Sequence, residues 1–505
     1  MIDPQFFLTV DRIVSLTAGL FILAVGVLVL VSAVLYVIDR LQTRHTVRRN
    51  YPLIGRFRYL FEKLGEYFRQ YFFAMDREEM PFNRAQRSWC YRAAKNVDNT
   101  VAFGSTRDIS TPGTLIFSNT AFPTLEADSV PPRPMLIGPY CRTPYEAPSF
   151  FNISGMSFGA LSVPAVRALS RGAKIANVWL NTGEGGLSPY HLEGGADIVF
   201  QIGTAKYGVR DLQGQLNDER LKVLAEMDQV RMFEVKLSQG AKPGKGGILP
   251  AIKVTPEIAK IRGIESGKDS ISPNRHVEVD SVDDLLDLIN HVRDVTGKPV
   301  GFKAVIGNYR SVDELCEAIH RRGIESAPDF ITIDSADGGT GAAPMSLMDY
   351  MGISVTESLP MVVDRLMAAG LKDRIKVIAS GKLVTPSVVA WALCAGADFV
   401  TSGRGFMFAL GCIMAMQCNK NTCPTGVTTH DPRLQRGLVV GDKSVRVSHY
   451  ATNMMKEVGI IAHSCGVTEP RDLKRWHVRV VQPDGFSAAL DELHPYKTPP
   501  EKDAA

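Results

Sequence analysis

The stretch IKVIASGKLVTPSVVAWALCAGADFVTSGR occupies residues 375–404 and contains the repeating unit of the fold. A β-branched run (375–381) ends in a Ser-Gly pair, and an apolar helical pattern (385–397) follows it. A second strand pattern (398–403) again ends in Ser-Gly. A strand, a glycine turn, a helix and another strand in this order predict two parallel strands joined by a helical crossover.

The same order of elements recurs from residue 150 onward. Eight segments have strand patterns: NISGMSF (152–158), VWLNTG (178–183), ADIVFQIG (196–203), FEVKLS (233–238), VGFKAVI (300–306), DFITIDS (329–335), IKVIASG (375–381) and DFVTSG (398–403). Helical patterns such as SVDELCEAIHRRG lie between them. Eight alternating strands and helices fit a closed (β/α)8 TIM barrel better than an open doubly wound sheet. We expect residues 239–299 to form an insertion after the fourth strand, on the face where barrel enzymes keep their active sites.

The last two strands also predict a phosphate site. They end in Ser380-Gly381-Lys382 and Ser402-Gly403-Arg404. In barrels the loops after the seventh and eighth strands commonly bind phosphate through backbone N–H groups, because glycine lets the backbone approach the anion. The alternative is that both glycines only make turns.

The N-terminus predicts a membrane anchor over residues 1–40. Residues 13–38 are 26 residues without a charge. As a helix they would be about 39 Å long, which exceeds a hydrocarbon core of about 30 Å. A buried core helix is the alternative, and the features of a cleavable signal peptide are poorly matched. Six arginines between residues 40 and 58 follow the span without an acid among them, which places the rest of the chain in the cytoplasm.

The segment after the anchor, RFRYLFEKLGEYFRQYFF (56–73), mixes basic and aromatic residues. We expect it either to lie along the membrane surface or to be a helix docked on the catalytic domain.

Charge and cysteine content exclude several functions. The whole chain has 57 Lys and Arg against 53 Asp and Glu, and residues 1–100 hold 14 and 9 of these, so the remainder is nearly neutral. No nucleic-acid partner is expected. The eight cysteines, in a chain expected in the cytoplasm, do not indicate a disulfide framework. Their thiols are free to bind metal.

Several glycine-rich and cysteine-rich stretches follow one another in a specific order. They are SGMSFGA (154–160), NTGEGG (181–186), QGAKPGKGG (239–247), IAKIRG (258–263), DGGTGAAP (337–344) and GCIMAMQCNKNTCPTGVTTHDP (411–432). In order and spacing these stretches resemble the FMN-binding synthase domain of glutamate synthases. The resemblance covers residues 150–436. It leaves a basic, helical and irregular extension (41–149) before the barrel and a C-terminal extension (437–505), expected to pack on the barrel and end in a flexible tail.

The resemblance implies that Cys412, Cys418 and Cys423 hold a [3Fe–4S] cluster beside the flavin. Thiolates are the ligands that iron–sulfur clusters prefer. A [4Fe–4S] cluster would need a further ligand, for which Cys394 and Cys465 are candidates. The three cysteines could instead be buried core thiols, or they could bind zinc together with His430 or His463.

It also implies reductive amination of 2-oxoglutarate to glutamate. By the matched motifs, Gln239, Lys242 and Arg262 hold the substrate carboxylates, and Glu184 manages a proton at the imine nitrogen. A solvated basic loop is the alternative for the cations, and a helix cap is the alternative for Glu184.

The same resemblance assigns residues to FMN. Lys303, midway along a predicted strand, would stabilise the reduced flavin near N1, pair with Asp334, or do both. Met156 and Ser157 are expected beside the ring and Gln201 near it. The phosphate is expected at Gly339, Gly341, Gly381, Ser402 and Gly403.

The chain departs from that family in ways that set the expected partners. It begins Met1-Ile2, without the nucleophilic cysteine of the family's amidotransferase domain, and too few residues follow the cysteines for its β-helix domain. Ammonia is therefore expected free or from a separate amidotransferase. No GxGxxG fingerprint follows a strand, so electrons are expected from ferredoxin or a membrane redox partner and not from NAD(P)H. An N-methylglutamate synthase-like enzyme and a membrane electron-transfer subunit are the alternatives.

Overall fold

A closed barrel of eight parallel strands forms the core of the chain. The computed structural model describes residues 4–237 and 240–497. The barrel strands are β1 Phe151–Ile153, β2 Leu180–Asn181, β3 Ile198–Ile202, β4 Val230–Lys236, β5 Val300–Val305, β6 Phe330–Asp334, β7 Lys376–Ser380 and β8 Phe399–Ser402. Each strand pairs in parallel with the next, and β8 pairs with β1. The predicted (β/α)8 barrel is confirmed, although β1 and β2 are much shorter than their sequence segments.

A helix follows each strand and covers the outside of the barrel. In order these are Val163–Ala176, Pro189–Leu192, Asp218–Ala225, Val282–Thr296, Arg310–Arg322, Val355–Ala368, Pro386–Cys394 and Arg404–Leu410. The first begins at Ser162, whose side chain accepts a hydrogen bond from the Ala165 N–H, and ends at Asn177 in the left-handed region with φ 54°. These caps satisfy backbone groups that the helix itself leaves unpaired.

The insertion after β4 is shorter than predicted. Its own elements are a two-stranded antiparallel sheet of Ile248–Leu249 with Ser270–Ile271 and, between these strands, a 3₁₀ turn Ala251–Lys253 and the helix Pro256–Arg262. The helix Val282–Thr296 lies inside the range predicted as insertion but is the regular crossover to β5. Its amphipathic pattern, opened by a Ser281–Asp284 capping box, is the sequence signal that distinguishes it from the insertion.

A hairpin from the segment before the barrel packs against residues of its strands. Its strands are Met135–Ile137 and Tyr145–Ala147. Ile137, Tyr145 and Ala147 are buried in one cluster with Trp179, Val199, Met232, Phe330, Ile378 and Phe399. Residues before position 150 therefore complete the hydrophobic core of the barrel. We call this element the floor hairpin.

The C-terminal segment belongs to the same compact unit as the barrel, which spans residues 86–505. The helix Val440–Ser464 crosses the helix Val163–Ala176 so closely that a Cβ on Gly172 would lie 2.5 Å from Val447 Cγ1. A small antiparallel sheet joins Leu115–Phe117, Val478–Val481 and Ser487–Ala489. The helix Arg84–Ala94 begins two residues before this unit, whose remaining helical segments are Glu126–Asp128, Ile324–Ser326, Met345–Met348, Pro432–Gln435, Pro470–Asp472, Arg475–His477 and Leu490–Leu493. Residues 498–505, in the expected flexible tail, lie outside the described residues.

The first 85 residues form a separate compact unit. Its helices are Pro4–Leu41, Thr46–Asn50 and Ile54–Phe68, and a π-helical turn, Arg69–Phe73, continues the last of them. Residues Leu8–Leu41 have a mean hydropathy of 3.0 in their most apolar stretch, and none of that stretch is buried. By length and composition this helix could cross a membrane.

A buried ion-pair cluster at the amino-terminal end of β6 gives a stability prediction. The Asp329 carboxylate is fully buried before β6 and pairs with Arg293 at 3.0 Å and Arg374 at 3.0 Å. We expect Asp329→Ala to lower the free energy of unfolding by about 3–5 kcal/mol, because it leaves two buried guanidinium groups without their partner. Denaturant unfolding followed by circular dichroism measures this change. The control is Asp283→Ala, which removes a half-exposed partner of Arg321 and should cost about 1 kcal/mol or less.

Candidate active site

One cleft at the carboxyl ends of the barrel strands collects most of the residues singled out in the sequence. Its lining includes the predicted site residues Met156, Ser157, Glu184, Lys242, Arg262, Lys303, Gly339, Gly341, Gly381, Ser402, Gly403 and Cys418. Gln201, Cys412 and Cys423 are not part of this lining. Gln239 lies outside the described residues. A cleft in this position is where barrel enzymes bind their ligands.

Three glycine-containing loops border one side of the cleft, after β6, β7 and β8. Gly381 has φ 104°, and a Cβ there would lie 2.3 Å from Ser335 Cβ. A Cβ on Gly339 would lie 2.7 Å from Arg404 Nε. Position 381 therefore needs glycine, both for its left-handed backbone and for its close approach to Ser335, and a side chain at position 339 would have to displace Arg404. Lys382 and Arg404 also line the cleft here, so the loops combine backbone N–H groups with two cations suited to a phosphate.

Glu184 lies among cations on another side of the cleft. Its Oε2 atom is 3.3 Å from Lys236 Nζ. Burial opposes ionisation of Glu184, but Lys236, Lys242 and Arg262 outweigh it, so its pKa is below the usual value. Glu184 is therefore a carboxylate at neutral pH, and it follows β2 in a loop, not at a helix N-terminus.

Two further cations of this group come from the insertion. Lys242 Nζ donates to the Ala342 carbonyl at 2.9 Å, and burial lowers its pKa against the opposing effect of Glu184. Arg262 donates to Ser270 Oγ at 3.0 Å and to the Phe158 carbonyl at 3.2 Å, and its guanidinium lies 5.0 Å from the centre of the Tyr207 ring. Its buried Nε has no hydrogen-bond partner among the described residues. Both side chains are nearly fully buried, so the alternative of a solvated basic loop does not describe them.

A polar network lies in the barrel below the cleft. Lys303 Nζ is 3.1 Å from Asp334 Oδ2, the pairing expected from the sequence, while the lysine still faces the cleft. Glu234 accepts hydrogen bonds from Asn181 at 2.9 Å and from Gln201 at 2.6 Å. A Cβ on Gly155 would lie 2.7 Å from Asn181 Oδ1 and 2.9 Å from Gln201 Nε2, so a side chain at this position would displace the amides that bind Glu234.

The residues present fit a flavin mononucleotide in this cleft. The buried Gln201 Oε1 has no hydrogen-bond partner among the described residues and lies directly below Gly155. The glycine loops and Arg404 provide donors for a phosphate on the other side. Lys303 provides a buried cation between them. This donor set suits a ligand with an anionic tail and a polar ring.

The three motif cysteines are close enough to influence one another electrostatically. The pKa of the Cys412 thiol is raised to about 11, mainly by burial, and Cys418 and Cys423 contribute in the same direction. The Met414 N–H donates to Cys412 Sγ at 3.5 Å. Hydrogen bonds from Thr425 and Thr428 outweigh burial at Cys423 and lower its pKa.

Three thiols have the donor chemistry of an iron–sulfur cluster with three thiolate ligands. In the described part of the chain, no three His, Cys, Asp or Glu side chains are grouped as ligands of a metal ion. His430, a candidate zinc ligand, instead contacts the Gly159 carbonyl through Nε2 at 2.8 Å.

Lys253 links the insertion to the cysteine loop. Its fully buried ammonium donates to the carbonyls of Ala160 at 2.8 Å, Thr428 at 2.9 Å and Cys418 at 3.3 Å. Burial lowers its pKa to about 8, and the thiols of Cys418 and Cys423 act in the opposite direction. One side chain thus holds together the loop after β1, the cysteine loop and the insertion that carries Lys242 and Arg262.

Sequence reasoning missed Lys236, Glu234, Lys253, Lys382 and Arg404 as site residues. For Lys236 there was a usable signal. It stands two residues after Glu234 on β4, so both point into the barrel, and it lies opposite Lys303 in the register of β4 and β5. A lysine and a glutamate inside a barrel strand require partners, because burying an unpaired charge is costly.

Known proteins of one family resemble this chain over most of its length. The family described as "Conserved region in glutamate synthase" matches residues 125–468. The glutamate synthase large subunit-like protein YerD of Bacillus subtilis is 39% identical over 93% of this chain and 96% of its own length. An archaeal-type glutamate synthase [NADPH] of Dehalococcoides mccartyi is 32% identical over 66% of this chain and 63% of its own length.

The large chain of the Bacillus subtilis glutamate synthase [NADPH] is 32% identical over 57% of this chain, and the match covers 18% of that protein. The chain thus corresponds to most of YerD and to a small part of the large chain. A match over most of the chain, in the region that contains the barrel and the cleft, identifies an oxidoreductase of the glutamate synthase type: the chain belongs to the glutamate synthase family.

Proposed function

We propose that this chain catalyses the FMN- and iron–sulfur-dependent reductive amination of 2-oxoglutarate to glutamate. The observation that carries the proposal is the group of Lys236, Lys242 and Arg262 around Glu184, in the same cleft as the glycine loops and Lys303. Binding a dicarboxylate requires at least two cations, one for each carboxylate. A protein that only transfers electrons, without a substrate of its own, does not require these cations.

The residues divide the reaction between them. Lys242 and Arg262 bind the two carboxylates of 2-oxoglutarate, with Gln239 proposed as a further donor. Ammonia adds at C2, water leaves, and the resulting imine takes up a hydride and a proton to give glutamate. Glu184, as a carboxylate, accepts and relays the protons at the substrate nitrogen. FMN, when bound, supplies the hydride, and Lys303 balances the negative charge of its reduced form.

Electrons and ammonia are proposed to come from other proteins or from solution. Cys412, Cys418 and Cys423 would hold a [3Fe–4S] cluster that receives electrons from ferredoxin or a membrane redox partner. Ammonia enters free or from a separate amidotransferase. The apolar helix Leu8–Leu41 is proposed to anchor the enzyme as a single span, with its catalytic unit in the cytoplasm.

Reoxidation of the reduced enzyme tests this function. The protein is purified anaerobically, analysed for flavin and iron, reduced with dithionite, and mixed with 2-oxoglutarate with or without ammonia. We expect flavin reoxidation only when both are present, with glutamate as the product. Reoxidation with methylamine alone as the nitrogen source would favour an N-methylglutamate synthase-like enzyme. Absence of reoxidation by any oxo acid would favour an electron-transfer subunit.

The ionisation of Glu184 gives a pH prediction. A carboxylate with a lowered pKa keeps its charge as pH falls until its own pKa is reached. We expect Lys236→Met to move the acidic limb of the kcat/KM profile to higher pH, because the nearest cation that lowers the Glu184 pKa is removed. The exposed Lys245→Met is the control and should leave the limb in place. An unchanged limb in Lys236→Met would mean that another group controls it.

A further inference from the structure

The helix Ile54–Phe68, together with the π-helical turn Arg69–Phe73 that continues it, has one continuous apolar face. Phe57, Leu60, Phe61, Leu64, Phe68 and Phe72 are between 37% and 74% exposed. At 100° per residue the five positions in the α-helix fall within an arc of about 100°. The ring of Phe72, in the π-helical turn, lies 5.5 Å from that of Phe68 and so extends the same face. An exposed apolar face of this size on a soluble surface marks an interaction site.

The opposite face of the helix is charged. It carries Arg58, Glu62, Lys63, Glu66 and Arg69, three cations against two acids. Aromatic and leucine side chains on one face, with basic residues on the other, are typical of a helix that lies in the headgroup region of a bilayer. Arginine and lysine at that depth gain from anionic lipid headgroups.

A buried ion pair fixes this helix to the end of the apolar span. Asp39 is fully buried, and its carboxylate accepts hydrogen bonds from Arg48 at 2.8 Å, from Arg56 at 2.7 Å and from the Leu53 N–H at 3.2 Å. A Cβ on Gly55 would lie 2.8 Å from the Val47 carbonyl oxygen, so the chain folds back tightly here. Because Arg56 belongs to the helix itself, its pairing with Asp39 fixes the rotation of the helix about its own axis.

From these three features we propose that residues 54–73 form an interfacial helix whose apolar face is buried in the lipid surface next to the span. The inference rests on the proposed membrane anchoring. Continuity with the span favours lipid over a protein partner: only twelve residues separate Leu41 from Ile54, and the Asp39 ion pair holds them in a compact corner. The helix therefore lies at the depth where the span leaves the bilayer.

Photo-crosslinking of the full chain tests the occupant of the apolar face. The photoreactive amino acid p-benzoylphenylalanine replaces Phe61 on the apolar face, Glu62 on the charged face, or Leu23 within the span. Each protein is reconstituted in bilayers of phosphatidylcholine and phosphatidylglycerol and irradiated, and the adducts are identified by mass spectrometry. We expect lipid adducts at positions 61 and 23 and a loss of the lipid adduct to background at position 62.

The three positions separate failure of this inference from failure of the anchoring. Lipid adducts at position 23 without lipid adducts at position 61 would overturn the interfacial helix and leave the span intact. Crosslinks from position 61 to residues 86–505 or to a second copy would identify a protein surface as the true occupant. Absence of lipid adducts at position 23 would overturn the span and, with it, this inference.

Discussion

Replacing Arg262 with alanine is expected to lower kcat/KM for 2-oxoglutarate by about 30- to 4,000-fold. Loss of one partner of a buried charge pair costs about 2–5 kcal/mol, and each 1.4 kcal/mol is about a factor of ten. The guanidinium is nearly fully buried, lines the cleft and keeps one nitrogen without a protein partner within the described residues. Steady-state kinetics with 2-oxoglutarate as the varied substrate measure the effect.

A neighbouring lysine on the same helix is the matched control. Lys260 is exposed to solvent two residues before Arg262, so Lys260→Ala should leave kcat/KM within about a factor of three, as expected for a surface charge. Arg262→Lys keeps the charge but loses the planar fork and should give an intermediate loss. If Arg262→Ala unfolds the insertion, the melting temperature of the variant protein will fall together with its kcat/KM. A normal kcat/KM in a folded Arg262→Ala protein would contradict the proposed carboxylate grip.

The second large effect is expected at Cys418, the cysteine that lines the cleft. Replacing it with serine should remove nearly all bound iron and the electron paramagnetic resonance signal of the cluster, while most of the flavin stays bound. A serine hydroxyl is less acidic than a cysteine thiol, and its oxygen is a harder ligand than a thiolate sulfur. The two remaining cysteines are too few for an iron–sulfur cluster. Iron analysis and flavin absorbance on the same anaerobic sample measure both quantities.

Cys316 provides the control for this change. It is a buried cysteine on the outer helix Arg310–Arg322, away from the motif in the sequence. Cys316→Ser should retain both iron and flavin, even if it lowers stability. Equal losses of iron and flavin in Cys418→Ser would mean that the cysteine loop serves folding and does not hold a cluster.

The sequence predicted the barrel because its signals are local. Each strand segment ends in a polar or glycine turn and is followed by a helical pattern, so all eight could be found without knowledge of the neighbouring strands. The ends of β1 and β2 could not be predicted in the same way. Their segments continue into cleft loops such as Gly155-Met156-Ser157, where glycine and nonlocal contacts decide the backbone path.

The pairing of site residues was less accessible, because the partners are distant in sequence. Lys236 and Glu184 are 52 positions apart, and the sequence around either residue does not indicate that the other is its partner. The role of Lys253 is still harder to predict, because all three of its acceptors are backbone carbonyls, which every residue type has. Motif resemblance identified Lys242 and Arg262, but it carried no information about the cation already paired with the carboxylate.

The floor hairpin decides where the chain can be shortened. A version without the span is wanted for crystallisation and for kinetics in detergent-free buffer, and the motif boundary at residue 150 suggests starting there. That start would discard Ile137, Tyr145 and Ala147 and bring the faces of Trp179 and Phe399 into contact with water. Such a fragment would be prone to aggregate through its newly bared apolar end. A start at Gln86, where the second compact unit begins, retains the hairpin and gives the better design.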